Sequence, residues 1–324
     1  MPELPEVETI RRQLAPLVEG RALRRVEILD ERWSRPLAPA ELQDALRGRR
    51  VERLGRRGKY LVWSLTDELH LAQHLRMTGA VLVNPHPEPA HTRVRIWLGP
   101  RRRGPGPGSG SDSGSGEGGG GRGELRLAIS DPRRFGTAEL LAGDDALEAF
   151  FAARLGLEPF DERFTAAHLR VLTRGRSAPI KALLLDQRRM AGVGNIYADE
   201  ALYRARIHPL RAAGGLSGAQ LERLREALIE ALAAGIDARG ASIDDFRHVD
   251  GVRGSFQDQF LVHLRAGQRC GVCGTTIVKT VAAGRGTYVC ESCQPPPRGA
   301  RAAARATPRA TRRGGRSEPP PGPR

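Results

Sequence analysis

Cys270-Gly271-Val272-Cys273 and Cys290-Glu291-Ser292-Cys293 hold all four cysteines of a 324-residue chain, as two Cys-x2-Cys pairs with sixteen residues between them. Four thiolates at this spacing fit a zinc ribbon, in which a β-hairpin separates two ligand-bearing turns. Two disulfides are the competing reading. The chain opens on Met1-Pro2-Glu3, with charge almost at once and no secretory signal pattern, so a reducing compartment and one structural Zn2+ are expected. Four thiolates fill a tetrahedral shell and leave no open position for catalysis. No apolar run approaches the ~18 residues of a membrane span. A cytoplasmic or nucleoid-associated protein is expected.

On the C-terminal side of the ribbon (268–293), residues 294–324 are Pro, Arg, Ala and Gly without periodicity and are expected to be disordered. On its N-terminal side, 239–267 is a Gly- and Asp-rich loop and connector, preceded by helical patterns near 145–155, 164–174, 178–190, 195–206 and 217–236. Within them, Ala191-Gly192-Val193-Gly194-Asn195 places two glycines before a helix start, whose free N–H groups attract an anion. Residues 22–142 change to short β-rich runs, among them 26–29, 60–65, 80–83, 94–98 and 125–129. The low-complexity stretch 101–123 interrupts them and reads as a flexible loop between strands, with a linker as the alternative, although the β pattern resumes beyond it. Residues 2–19 form a helix, with Val7, Ile10, Leu14 and Leu17 at helical spacing and Glu3, Glu6 and Glu8 where the helix dipole favours acids. The expected organisation is α+β: an N-terminal β-sandwich or barrel with flanking helices (1–144), a helical domain (145–238), the connector, the ribbon and the tail.

The formal net charge of +15 points to a polyanionic partner. The tail carries eight arginines against one glutamate, and the rest of the chain still carries +8. Only Lys59, Lys181 and Lys279 among the 52 basic residues are lysines. Arginine cannot replace a deprotonatable amine, so each retained lysine is a candidate for specific chemistry; Lys279 has no assignable role.

Six segments occur in an order that resembles the bacterial formamidopyrimidine-DNA glycosylases: Met1-Pro2-Glu3-Leu4-Pro5-Glu6-Val7-Glu8-Thr9, Gly58-Lys59-Tyr60, His74-Leu75-Arg76-Met77-Thr78-Gly79, Asp131-Pro132-Arg133-Arg134-Phe135-Gly136, Gly192-Val193-Gly194-Asn195-Ile196-Tyr197 and the four-cysteine ribbon. The resemblance spans nearly the whole chain apart from 101–123 and the tail. It implies that the helical domain contains a helix-two-turns-helix element, and that the protein removes oxidised purines from double-stranded DNA and cleaves the strand at the abasic site; with no obvious dimerisation pattern in the sequence, a monomer is expected. It makes Pro2 the nucleophile once Met1 is removed: an α-amino group has a pKa near 8, far below lysine's ~10.4, and amines form Schiff bases. By position alone Pro2 would be a helix-start proline.

Glu3 resembles the family's acid/base, with Glu6 in support and Lys59 at the damaged nucleotide. Met77, Arg133 and Phe135 resemble the residues that fill the void left by an everted nucleotide, Arg133 facing the orphaned cytosine. His74, Asn195 and Arg285 resemble a phosphate clamp, and Lys181 falls at a position of phosphate or base contact. Two departures stand out. Where the family often has a Tyr-Gly pair, this chain has Val262-His263-Leu264-Arg265, and its 250–256 loop, at the position that caps the flipped base, matches too loosely for contacts to be carried over. The competing function class is a non-catalytic binder of distorted duplex, against which Pro2, Glu3 and Lys59 argue.

Overall fold

The computed structural model describes residues 1–101, 123–242, 249 and 252–297. Apart from their ends, the 101–123 insertion and the 294–324 tail lie outside the described residues, as do the first two residues of the 250–256 loop.

Helix α1 (Leu4–Val18) comes first, followed by strand β1 (Leu23–Ile28), helix α2 (Pro39–Leu46), strands β2 (Val51–Arg57), β3 (Tyr60–Leu65), β4 (Leu69–His74), β5 (Ala80–Val83), β6 (Thr92–Leu98), β7 (Leu125–Ser130) and β8 (Thr137–Ala142). They form two antiparallel four-stranded sheets, ordered β1-β6-β7-β5 and β2-β3-β4-β8. In β6 burial alternates, so Val94, Ile96 and Leu98 face inward. They meet Leu54, Leu61, Trp63 and Leu71 of the other sheet in one core, closing a β-sandwich. Strand β3 is buried on its other face too, where Val62 packs on Phe150 and Phe151 of α3 (Asp144–Ala152).

The second body contains α4 (Ala166–Thr173), α5 (Ile180–Leu185), α6 (Asn195–Arg204) and α7 (Gly218–Asp237). Its core gathers Leu169, Ile180, Leu184, Tyr197, Leu202, Leu224 and Leu228. Leu4 of α1 belongs to this helical core, while Val7, Ile10, Leu14 and Val18 belong to the sandwich core. Each such buried side chain contributes roughly 1.5–3 kcal/mol, so α1 fastens the two bodies together.

Two departures from the sequence expectation have local causes. The helix expected over 178–190 ends at Leu185, because the Asp186 carbonyl takes the Arg189 and Met190 N–H groups in a turn that runs on to Gly192 at φ +89°. Strand β4 was hidden by polar residues that are nevertheless buried: Gln73 accepts a 2.9 Å hydrogen bond from the Trp63 indole, and His70 lies 3.2 Å from the Ser64 hydroxyl.

The ribbon hairpin pairs β9 (Val278–Ala282) with β10 (Arg285–Val289) across Ala283 and Gly284, both at positive φ, as a two-residue hairpin turn of this twist requires. The Sγ atoms of Cys270, Cys273, Cys290 and Cys293 all lie within 4.8 Å of one another. Cys270 and Cys293 are 3.8 Å apart and Cys273 and Cys290 3.4 Å, close to the ~3.8 Å edge of a tetrahedron with zinc–sulfur bonds of about 2.3 Å. The donor set thus fits Zn2+, and none of the four is in a disulfide.

The chain enters the ribbon through a reversal at 261–263, whose backbone N–H groups all donate to the buried Glu200 carboxylate at 2.9–3.0 Å. In the stretch where the family often has its Tyr-Gly pair, the Nδ1 of His263 lies 2.8 Å from Asp199 Oδ2, and the next residue, Leu264, adopts φ +59°.

Chelation at neutral pH is expected to release one zinc per chain and to unfold the ribbon while leaving the sandwich intact; a chain without stoichiometric zinc by elemental analysis contradicts the assignment. Leu264 is 48% exposed and in the left-handed region, so little burial is lost on truncation. Leu264→Gly should therefore stabilise the protein by roughly 0.5 kcal/mol, raising Tm by about 1–2 °C in a thermal melt.

Candidate functional site

The N-termini of α1 and α6 meet at the junction of the two bodies. Glu3 is 2% exposed, and its Oε1 accepts the Ile196 N–H of α6 at 3.0 Å. The free amides of a helix start hold a carboxylate there. Gly194 makes the approach possible, because a Cβ at that position would stand 2.3 Å from the Glu3 carboxyl carbon. At Gly192 a Cβ would meet Leu4 at 2.5 Å, and the backbone is at φ +89°. The second Glu3 oxygen, Oε2, is buried without a hydrogen-bond partner. An unpartnered buried carboxylate oxygen is left to accept a hydrogen bond from whatever enters the pocket.

Glu6 lies one turn further on, with Oε2 accepting the Glu3 N–H at 2.8 Å and Oε1 accepting the Tyr197 hydroxyl and the Ala241 N–H, each at 2.8 Å. Burial, then the charge of Glu3, raise its pKa against these hydrogen bonds. Pro2 is buried beside these groups in the chain, behind an exposed Met1.

Lys59 projects from the tight β2–β3 turn, where Gly58 sits at φ +57°, and its Nζ donates to the Val193 carbonyl at 2.9 Å. Burial lowers its pKa, the carboxylates of Glu3 and Glu6 oppose the shift, and Arg285 adds to it. This amine is more readily deprotonated than an exposed lysine. The turn is braced by Arg56, which pairs with Glu158 at 2.8 Å and with Glu8 at 3.2 Å. Burial would raise the pKa of Glu8, but hydrogen bonds from Arg11 and Arg12 and the charges of Arg11 and Arg56 outweigh it and pull it down to about 2.

His74, at the end of β4, accepts the Arg76 N–H on Nδ1 at 2.9 Å, so a neutral ring carries its proton on Nε2. Burial, reinforced by Arg76 and Lys59, lowers its pKa to about 3, and it is an uncharged donor at neutral pH. Asn195 opens α6; its amide nitrogen donates to the Gly286 carbonyl of the ribbon hairpin at 3.0 Å, while its oxygen is buried without a partner. Exposed Arg285 stands at the tip of that hairpin, close enough to influence both Lys59 and Lys181. His74, Lys59, Asn195 and Arg285 thus come together from three parts of the chain.

Lys181 corrects the sequence expectation. Its side chain is 0% exposed, and its ammonium is held by Asp199 Oδ1 at 2.6 Å and Thr287 Oγ1 at 2.7 Å. A cation enclosed this way has no free face for a phosphate; it ties α5, α6 and β10 together and roots the ribbon. Tyr197 and Ala241, which hold Glu6, carried no role in the sequence reading. Tyr197 closes the Gly192–Tyr197 segment, but nothing local marks its partner.

Met77 is half-buried in the β4–β5 loop, whereas Arg133 and Phe135 are exposed in the β7–β8 loop. The Arg133 guanidinium lies 4.9 Å from the centre of the Phe135 ring, which is 51% exposed. The two loops are adjacent, because β5 pairs with β7 and β4 with β8.

Three family models match the chain in succession: the formamidopyrimidine-DNA glycosylase N-terminal domain over residues 1–138, the formamidopyrimidine-DNA glycosylase H2TH domain over 155–247, and the zinc finger found in FPG and IleRS over 267–296. A formamidopyrimidine-DNA glycosylase of Roseobacter denitrificans is 38% identical over 298 residues, covering 91% of this chain and all of the relative. The crystal structure of the Thermus thermophilus protein is 40% identical with a TM-score of 0.75, covering 90% of this chain and 98% of that one. A Lactococcus lactis protein in complex with abasic-site DNA superposes with a TM-score of 0.78 at 32% identity, covering 91% of this chain and all of that one. The three domains in this order, matched along nearly the whole length of the relatives, show that the chain belongs to the formamidopyrimidine-DNA glycosylase family.

Proposed function

We propose that the protein is a base-excision-repair DNA glycosylase and abasic-site lyase that removes oxidised purines, 8-oxoguanine and formamidopyrimidines, from double-stranded DNA. The observation that carries this reading is the buried Glu3 carboxylate, anchored through one oxygen to the start of α6 and unpartnered at the other. Removal of Met1 frees the Pro2 nitrogen as a secondary amine. Its lone pair attacks C1′ as the bond to the damaged base breaks; the base leaves with the bonding electrons and takes a proton from solvent, while the proton lost from the Pro2 nitrogen passes to the Glu3 carboxylate. Glu3 protonates the sugar ring oxygen as the ring opens to a Schiff base. Loss of a C2′ proton then expels the 3′ phosphate, a second elimination expels the 5′ phosphate, and hydrolysis regenerates Pro2. Glu6 holds the Glu3 backbone in place, and Lys59 supplies a compact cation beside the reacting sugar.

His74, Asn195, Arg285 and Lys59 grip the phosphate next to the everted nucleotide. Met77, Arg133 and Phe135 enter the vacated stack, and this set supports the purine preference. Zinc holds the hairpin that carries Arg285 and takes no part in the chemistry. The Lactococcus lactis protein has been crystallised in complex with Fapy-dG DNA and with DNA containing an oxidised pyrimidine. No helix among the described residues is long and apolar enough to cross a membrane. The same reading makes the protein a monomer that works in the cytoplasm at the nucleoid.

Borohydride added during reaction with an 8-oxoguanine duplex should trap a covalent adduct through Pro2, and an uncleaved extension before Pro2 should abolish it. Equal trapping with and without the extension would exclude Pro2 as the nucleophile. Arg285→Ala should weaken binding to all duplex sequences alike and reduce the slope of log affinity against log salt by about 1; a loss confined to one sequence contradicts its place in the clamp.

A further inference from the structure

The loops that carry Met77 and the Arg133–Phe135 pair each cross from one sheet to the other. The first joins β4 to β5 and the second joins β7 to β8, and their flanking residues are paired, Ala80 with Ser130 and His74 with Thr137. The loops therefore run side by side over the end of the sandwich, but strand pairing stops at their roots. One buried side chain bridges them beyond that point. Asp131 is 2% exposed; its Oδ1 accepts the Thr78 hydroxyl at 2.5 Å and its Oδ2 accepts the Gly136 N–H at 2.7 Å. The Thr78 oxygen in turn accepts the Arg133 N–H at 3.3 Å.

Each void-facing residue is thus one step or none from a group in this bridge. Met77 precedes Thr78, Arg133 gives its own amide, and Phe135 precedes Gly136. Arg134, between Arg133 and Phe135, adopts φ +61° and is tied by its guanidinium to the buried Asp30 at 2.5 Å. A non-glycine residue in that conformation persists only where its surroundings fix it.

We propose that Thr78 and Asp131 are positioning residues that lock the two loops into a single wedge, and that this lock sets how well the protein distinguishes cytosine from adenine opposite the lesion. The proposal rests on the glycosylase reading above. A wedge of fixed shape presents the Arg133 donors in one place, so a purine in the cytosine's position meets a clash or loses hydrogen bonds. A wedge whose loops move independently adapts to either base. A single-stranded abasic site has no opposite base and no void to fill, so Schiff-base formation and elimination there do not depend on the lock.

The test is single-turnover cleavage by wild type, Thr78→Val and Thr78→Ser of three substrates: 8-oxoguanine opposite cytosine, 8-oxoguanine opposite adenine, and a single-stranded abasic site. Valine keeps the volume and removes the hydroxyl, whereas serine keeps the hydroxyl. Thr78→Val, which removes both hydrogen bonds of the hydroxyl, should lower the cytosine-over-adenine rate ratio by about fivefold or more, with the single-strand rate unchanged. Thr78→Ser should keep the wild-type ratio. An unchanged ratio in Thr78→Val, or an equal loss on all three substrates, overturns the lock. Absence of cleavage by the wild type overturns the glycosylase reading itself.

Discussion

The hydrogen bond from the Ile196 amide to the Glu3 carboxylate is the contact around which the molecule is organised. It joins the start of the helix that opens the chain to the start of a helix nearly two hundred residues later, and it exists only because positions 192 and 194 have no side chains to keep the two apart. The apolar residues behind it make this arrangement durable. Leu4 is buried in the helical core and Val7 in the sandwich core, so the start of the chain is held by both bodies at once. A cleft formed by two domains usually changes shape when they move; here the helix that bears the carboxylates is part of each.

The electrostatics of the junction follow from the same enclosure. Two carboxylates and an amine lie within a region that excludes water: the pKa of Glu6 rises, that of Lys59 falls, and the second carboxylate oxygen of Glu3 has no donor. A few residues away, Glu8 and Glu158 are matched by arginines and hold the Lys59 turn in place. In the pocket Glu6 and Lys59 are held by hydrogen bonds, whereas the supports are held by ion pairs, as expected where polar groups in one place are kept adjustable and in the other rigid.

Much of this was legible in the sequence, and the parts that were not share a cause. The 60–65 and 80–83 strands, the helix starting at Asn195 and the paired cysteines were marked by local pattern, turn residues or spacing. Strand β4 was obscured because Gln73, His70 and His74 read as polar, although each finds a partner that only the folded chain supplies. Lys181 was misjudged for the complementary reason. A lone lysine in an arginine-rich chain indicates selection for an ammonium, but sequence does not say whether the ammonium meets solvent or, as here, an aspartate eighteen residues away and a threonine on the ribbon. Tyr197 was overlooked because its partner, Glu6, is remote in the chain.

The uncharged imidazole of His74 has a consequence for the proposed phosphate clamp. A cationic side chain that meets a phosphate displaces a counterion, and the grip it gives weakens steeply with salt. His74, with its pKa lowered to about 3, offers a hydrogen bond without a charge, so in the proposed clamp its contribution would be geometric and would survive where ionic attraction is screened. In the same proposal, exposed arginines such as Arg285 would draw the protein to any duplex. The histidine would engage only a phosphate brought within reach of its Nε2–H, so the proposed clamp divides recruitment from recognition between two kinds of donor in one small cluster.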